Sequence, residues 1–448
     1  MSRPLRLIAA AAVLQIAAAP SVTAVGPRPI LTVIPPSVDS ALLPPPSAPS
    51  PPGPTRQRGQ CFTPTTHAAE GAHNPIELDA VWRLTKGSGQ TVAVIDTGVA
   101  RHRLLPHLVG GGDYVARGDG TSDCDGHGTI VAGLIGGSPD GLGFSGIAPE
   151  ATILSIRQSS TKFAAEGQAA GIGDVDTLAR AVRTAADLGA TVINISSVAC
   201  VVATDSLDDR ALGAALAYAV DVKNVVVVTA AGNVGGAGHC PEQNPSAGPA
   251  RGPNWDIVRS VASPAWYDDL VLAVGSVGRD GAASDFTLGG PWVDVAAPGE
   301  GVVSLHPDAE GLIDHLAEAN PISGTSYAAP IVAGIVALVR ARFPHLGARD
   351  VMRRVEATAH RPPAGWDPFV GNGVVDATAA VSGGVPAPAA PAAAPPVVPP
   401  MPARVADDQQ RRTAFGGAAA CIVAVLVTVL ITNRLRRRPN DGHAVADD

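Results

Sequence analysis

Apolar and polar positions alternate in blocks along the middle of the chain. Five short, almost uninterrupted apolar runs, at 91–95, 152–156, 191–195, 225–229 and 270–277, predict strands buried on both faces. Between them Val175, Leu178, Ala179, Val182, Ala185 and Ala186 recur at helical spacing, and 207–220 shows the same period. Strands alternating with helices over residues 90–382 predict an α/β domain with a central, mostly parallel sheet and helices on both faces. A longer apolar stretch at 331–339 follows Gly-Thr-Ser-Tyr-Ala-Ala-Pro at 324–330. Gly324 frees the backbone for a tight turn there, and the small residues let a helix begin at once inside a core. A second small-residue helix is expected over 130–135. Polar, Gly/Ala-rich stretches at 157–173 and 235–253 break the pattern near strand ends. They read as loops open to substrate contact, partner docking or plain surface insertion.

Outside this domain the pattern changes. Arg3 and Arg6, an apolar stretch over 7–19 and the small residues Val22, Thr23 and Ala24 read as a signal peptide, 1–24. Residues 25–60 form a proline-rich extension with few large apolar side chains, expected to be extended or disordered. Residues 61–89 read as an N-terminal wrap on the domain, with a short helix over 74–82. After the domain come a Pro/Ala-rich linker, 383–412, and an uncharged run within 413–433 long enough to cross a bilayer as a transmembrane helix. Arg434, Arg436, Arg437 and Arg438 follow at once, so the positive-inside rule makes 434–448 a cytoplasmic tail. Signal peptide and stop-transfer run agree on a single-pass type I protein of the cell membrane, its folded domain extracytoplasmic.

Composition sharpens this picture little. Hydrophobic residues make up 46% of the 448, with 50 Gly and 41 Pro, which suits a compact Ala/Gly/Val core with proline-rich segments outside it. A net charge of −8 argues against nucleic acid as a partner. With Cys421 inside the apolar run, Cys61, Cys124, Cys200 and Cys240 remain in an oxidising compartment, and four cysteines allow three pairings. Nearness in the expected fold favours Cys61–Cys124 and Cys200–Cys240. The spacings lack a CxxC pair, so zinc is not expected. Asp113, Asp119, Asp123 and Asp125 crowd one stretch without the alternation of an EF-hand, and read as a solvated acidic loop rather than a calcium site. No metal or cofactor is expected.

Three stretches carry chemistry. The strand at 91–95 ends in Asp96-Thr97-Gly98, at the sheet edge where α/β folds keep their sites. Asp125-Gly126-His127-Gly128-Thr129 sets His127 at a helix start between two glycines. Ser326 lies in the first turn of the apolar helix, near unpaired N–H groups and the positive end of the helix dipole. A serine nucleophile needs a base to take its proton, and the base needs a carboxylate to hold its tautomer. Asp96, His127 and Ser326 supply all three. Asn194, ending a strand, reads as a structural asparagine that satisfies loop backbone.

These blocks, in this order, resemble the signature segments of the subtilisin (S8) serine peptidases, whose fold is the one expected here. Thr229-Ala230-Ala231-Gly232-Asn233 resembles the family block whose asparagine donates to the oxyanion, which implies that role for Asn233. Ser196-Ser197-Val198 resembles the segment that binds substrate backbone, but with Ser-Ser-Val where a typical member has Ser-Leu-Gly. The whole layout is similar to the mycosins, membrane-anchored subtilisin-like proteases of type VII (ESX) secretion systems. The resemblance implies a protein substrate, partners in the secretion membrane complex, and an ordered extension rather than a removable propeptide. It also implies a rival reading, in which the protein is mainly a scaffold subunit and proteolysis is secondary.

Overall fold

The computed structural model describes residues 33–64, 76–141, 143–167, 171–236, 239–246, 252–307, 311–317 and 320–383, with 427, 428, 430 and 431. The expected signal peptide and cytoplasmic tail lie outside the described residues, and the expected membrane helix almost wholly so. Among the described residues no helix is long and apolar enough to cross a membrane.

Seven strands form one sheet: β1 (Thr91–Asp96), β2 (Leu108–Asp113), β3 (Thr152–Arg157), β4 (Val192–Ile195), β5 (Val226–Ala230), β6 (Leu272–Val277) and β7 (Val293–Pro298). Their order across the sheet is β2-β3-β1-β4-β5-β6-β7, and every pairing within it is parallel. β4, β5 and β6 are buried at every residue, and β1 at all but its first. Such strands need cover on both faces. One layer is α1 (His127–Gly136) packed on α4 (Thr325–Arg342); the other is α2 (Val175–Asp187) packed on α3 (Arg210–Ala217). α2 starts from a complete capping box between Asp174 and Thr177. α4 is apolar around its whole circumference and runs under β4, β5 and β6, which is the pattern of a helix enclosed by its own domain.

From β1 the chain crosses toward β2 and β3, whereas from β4 it moves toward β5. The connections from these neighbouring strands therefore leave their C-terminal ends in opposite directions. In open parallel sheets a crevice forms at such a switch point.

Among the described residues of the extension, 33–60, the chain makes one 3-10 turn at Ser40–Leu42 and lies on the domain. Thr55–Gln57 pairs antiparallel with Phe163–Ala165, so the polar stretch at 157–173 receives the chain's own N-terminal segment. The Thr55 hydroxyl donates to Val115 O at 2.6 Å, and Arg183 Nη1 to Pro44 O at 2.8 Å. A sulfur–sulfur bond joins Cys61 to Cys124 and another joins Cys200 to Cys240. The short wrap helix is Asp79–Trp82, tied down by Trp82 Nε1 donating to Ile147 O at 3.0 Å.

Candidate active site

Asp96 is the last residue of β1 and is almost fully buried. His127 is the first residue of α1, delivered by a turn in which Gly126 adopts φ 83°. A Cβ at Gly126 would lie 2.5 Å from the Phe62 ring, so only glycine lets the stapled extension close against this turn. His127 Nδ1 and Asp96 Oδ1 are 2.7 Å apart, with 28% of the His127 side chain exposed and 2% of the Asp96 side chain. The Thr97 N–H donates to the same Oδ1 at 2.7 Å. With Nδ1–H given to the carboxylate, the Nε2 lone pair is left outward as the base. Burial alone pulls His127 down; the Asp96 carboxylate, helped by Asp123 and Asp125, outweighs it and raises the imidazole above its ordinary value.

Ser326 is the second residue of α4. Every other residue from Thr325 to Val339 is buried, and Ser326 alone is half-exposed. Tyr327 packs its ring 5.2 Å from that of His127. Among the described residues the Ser326 hydroxyl and His127 are not hydrogen-bonded to each other, a contact that commonly tightens only around substrate.

Asn233 follows β5. Its Oδ1 accepts from both the N–H and the Oγ1 of Thr325 at 3.0 Å. The amide orientation is thereby fixed, and Nδ2 is turned beside Gly324 at the entrance to α4. The Cys240 N–H donates to Asn233 O at 2.7 Å, so the Cys200–Cys240 disulfide links this turn to the segment trailing β4. That segment holds Ser196, which is buried, and Ser197 and Val198, which are half-buried. Asn194 does not cap loop backbone as expected: its amide donates to Ser196 Oγ at 2.9 Å.

The acidic stretch is a correction. A solvated loop was expected, yet Asp123 and Asp113 point inward. Asp123 accepts from Thr97 Oγ1 at 2.9 Å, from the Asp125 and Gly126 N–H groups at 3.2 and 2.8 Å, and from Thr129 N and Oγ1 at 2.9 and 2.7 Å. Burial pushes its carboxyl up to about 6, against those hydrogen bonds. One side chain therefore ties the residue after Asp96 to the turn that carries His127. Asp113 accepts from Val115 N and Ala116 N, both at 2.7 Å, and Asp125 from Ser160 Oγ and Thr161. Asp119 stays at the surface, bound to Thr121. Among the described residues no group of acidic, histidine or cysteine side chains is arranged to hold a metal. The signal that could have placed Asp123 is its spacing: an Asp three and six residues ahead of Gly126 and Thr129 suits an Asx turn opening a helix.

Residues 87–373 match the subtilase (Peptidase S8) family. Mycosin-4 of Mycobacterium tuberculosis is 61% identical over 358 residues, 77% of this chain and 77% of its own length. The solved MycP3 protease from the type VII (ESX-3) secretion system is 45% identical with a TM-score of 0.73, covering 78% of this chain and 100% of that one. A chain of an intact ESX-5 inner membrane complex is 40% identical with a TM-score of 0.73, covering 89% of this chain and 100% of its own.

Proposed function

The chain belongs to the subtilase family and, within it, to the mycosins, and on that premise we propose a membrane-anchored serine endopeptidase with Ser326 as nucleophile, His127 as general base and Asp96 as its orienting carboxylate. The observation that carries this reading is the 2.7 Å Asp96–His127 bond beside the one half-exposed residue of an otherwise buried helix segment. His127 Nε2 takes the Ser326 proton as the oxygen attacks the scissile carbonyl. Asp96 steadies the imidazolium through Nδ1–H. The oxyanion forms at the positive end of α4, where the Ser326 N–H and Asn233 Nδ2 donate to it. The imidazolium then returns its proton to the leaving amine, and water hydrolyses the acyl-enzyme by the same relay. Substrate backbone lies along Ser196, Ser197 and Val198, which continue from β4 at the switch point.

The architecture proposed around this domain follows the sequence: export by residues 1–24, a wrap over 61–89, a spacer over 383–412, one membrane helix over 413–433 and a cytoplasmic tail over 434–448. The catalytic domain then works outside the membrane on protein substrates that pass close to it. By its likeness to ESX proteases, the chain processes a substrate of type VII secretion. The likeness to a chain of an ESX-5 inner membrane complex favours a second role, stabilising such a complex. A fluorophosphonate probe applied to the wild type and to Ser326→Ala tests the nucleophile; labelling that survives the substitution sinks the reading. Secretion separates the roles: it persists in Ser326→Ala if the scaffold dominates and stops if proteolysis does.

A further inference from the structure

Pro330 lies inside α4, four residues after Ser326. In an unbroken helix the N–H of residue 330 would donate to the carbonyl of residue 326. Proline has no such donor. The carbonyl of the nucleophile residue thus loses its intrahelical partner, and a buried carbonyl left unpaired is costly.

Ser196 fills the gap. Its hydroxyl donates to Ser326 O at 2.8 Å. A hydroxyl has one proton, so with that proton given to the carbonyl it must accept from Asn194, whose Nδ2 lies 2.9 Å away. Asn194 is completely buried within β4 and Ser196 is 3% exposed just beyond it. The direction of the relay is therefore set: β4 to Asn194, Asn194 to Ser196, Ser196 to the peptide of Ser326.

We propose that Ser196 is a positioning residue for Ser326: its hydroxyl replaces the helix bond that Pro330 deletes and fixes the nucleophile's peptide to the central sheet. The proposal rests on Ser326 being the nucleophile, and it gives Ser196 a task apart from any contact its backbone makes with substrate. An ordinary helix bond would tie Ser326 only to the next turn of α4. The bond from Ser196 ties it instead to the strand beside the one that ends in Asp96, so nucleophile and triad carboxylate share one rigid sheet. The cost of losing it falls on reactivity, because a small misplacement of a reacting atom lowers rate far more than affinity.

The test is phosphonylation of the full-length chain by a fluorophosphonate, resolved into kinact and KI. Ser196→Ala is expected to lower kinact roughly tenfold to a hundredfold with KI nearly unchanged. Pro330→Ala restores an N–H at position 330 able to reach the same carbonyl. In that background Ser196→Ala is expected to cost less than about threefold, the misplacement being largely repaired. Equal losses in the two backgrounds, or a change confined to KI, overturn the proposal. Ser196→Cys, of nearly the same size and a weaker donor, is the second variant should the alanine protein not fold. An intermediate kinact supports the relay and a wild-type value overturns it. If the wild type is not labelled, the nucleophile reading fails first; if it is labelled and Ser196→Ala reacts equally fast, only the positioning role fails.

Discussion

The two halves of the site are held in different ways. Asp96 and His127 are set by side chains: Asp123 gathers Thr97, Gly126 and Thr129 around one carboxylate, and Asp96 takes both His127 and the Thr97 N–H. Ser326 is set by backbone: a buried helix carries it, Asn233 grips Thr325, and Ser196 holds its carbonyl. The first half is a network of titratable groups, so its performance depends on protonation. The second half contains no titratable side chain except Tyr327, which burial raises, so its performance depends on geometry. Substitutions that separate charge from shape should act on the two halves differently.

The largest effect is expected from Asp96→Asn. The amide keeps the shape of the carboxylate but no longer demands the Nδ1–H tautomer or steadies the imidazolium. Turnover should fall by about 10⁴-fold, while thermal stability changes little. A loss under tenfold, measured against a peptide substrate or by phosphonylation rate, would mean that His127 is oriented by something else. On the other half, Asn233→Ala should lower kcat about 100- to 1000-fold with KM nearly unchanged, since the lost donor acts on the oxyanion and not on the ground-state substrate. A rise in KM at constant kcat would place Asn233 in substrate binding instead.

Asp123, half-buried, and Asp209, 1% exposed, sharpen the contrast, because both are carboxylates spent on several donors. Asp209 accepts from Ser263 Oγ at 2.5 Å, Trp266 Nε1 at 2.8 Å and Tyr267 Oη at 2.8 Å. Its donors are side chains that clasp α3 to the segment around the Ser260–Ser263 strand. The donors to Asp123 are mostly the backbone of the turn that presents His127. Replacing either by Asn turns an acceptor into a donor facing donors, and each should cost about 1–3 kcal/mol of stability. Only Asp123→Asn should also lower kcat, roughly tenfold to a hundredfold. If Asp209→Asn slows turnover equally at a temperature where both proteins stay folded, the difference between structural and positioning carboxylates disappears.

Much of this was legible in the chain, and the exceptions share a cause. β1, β3 and β5 are read from unbroken apolar runs that only a fully buried strand tolerates. β2 was not, because Leu-Val-Gly-Gly-Gly-Asp has neither period nor β-branched density; it is an edge strand that pairs on one side only. β7 and the helix Ala348–Thr358 escaped for a related reason. Their core contacts come from Val293 and Val295, and from Val351, Met352 and Val355, interleaved with charge. Asp96, His127 and Ser326 stood out because each sits at a strand end or helix start among small residues, and Asn233 because its block resembles the oxyanion segment of the subtilisin peptidases. The Ser196 hydroxyl did not, because its partner, the carbonyl of residue 326, lies far along the chain; Asp123 did not because its local donors at 125, 126 and 129 organise the turn only once Thr97 is brought beside it. Tertiary burial decides whether an aspartate is a solvated charge or an organiser, and residue type alone does not encode it.

The smallest effect is a displacement along the pH axis. Burial alone would lower His127; Asp96, then Asp123 and Asp125, raise it beyond the ordinary value near 6.5. The base must be neutral to work, so activity should climb as pH rises through that elevated value. Stability runs the other way. A histidine raised by folding contributes stability fully below its unfolded value and loses it as pH rises through the folded one. Asp125 ranks below Asp96 and Asp123 among the charges holding His127 up, and its carboxylate is engaged with Ser160 and Thr161 rather than with the imidazole. Asp125→Asn should therefore shift the acidic limb of kinact slightly downward and leave the plateau rate within about twofold, a surface-loop change that does not move the reacting atoms. The fluorophosphonate rate measured across pH 5 to 9 decides it. An upward shift would show that Asp125 does not hold His127 up, and a collapsed plateau would make Asp125 part of the frame that Asp123 provides.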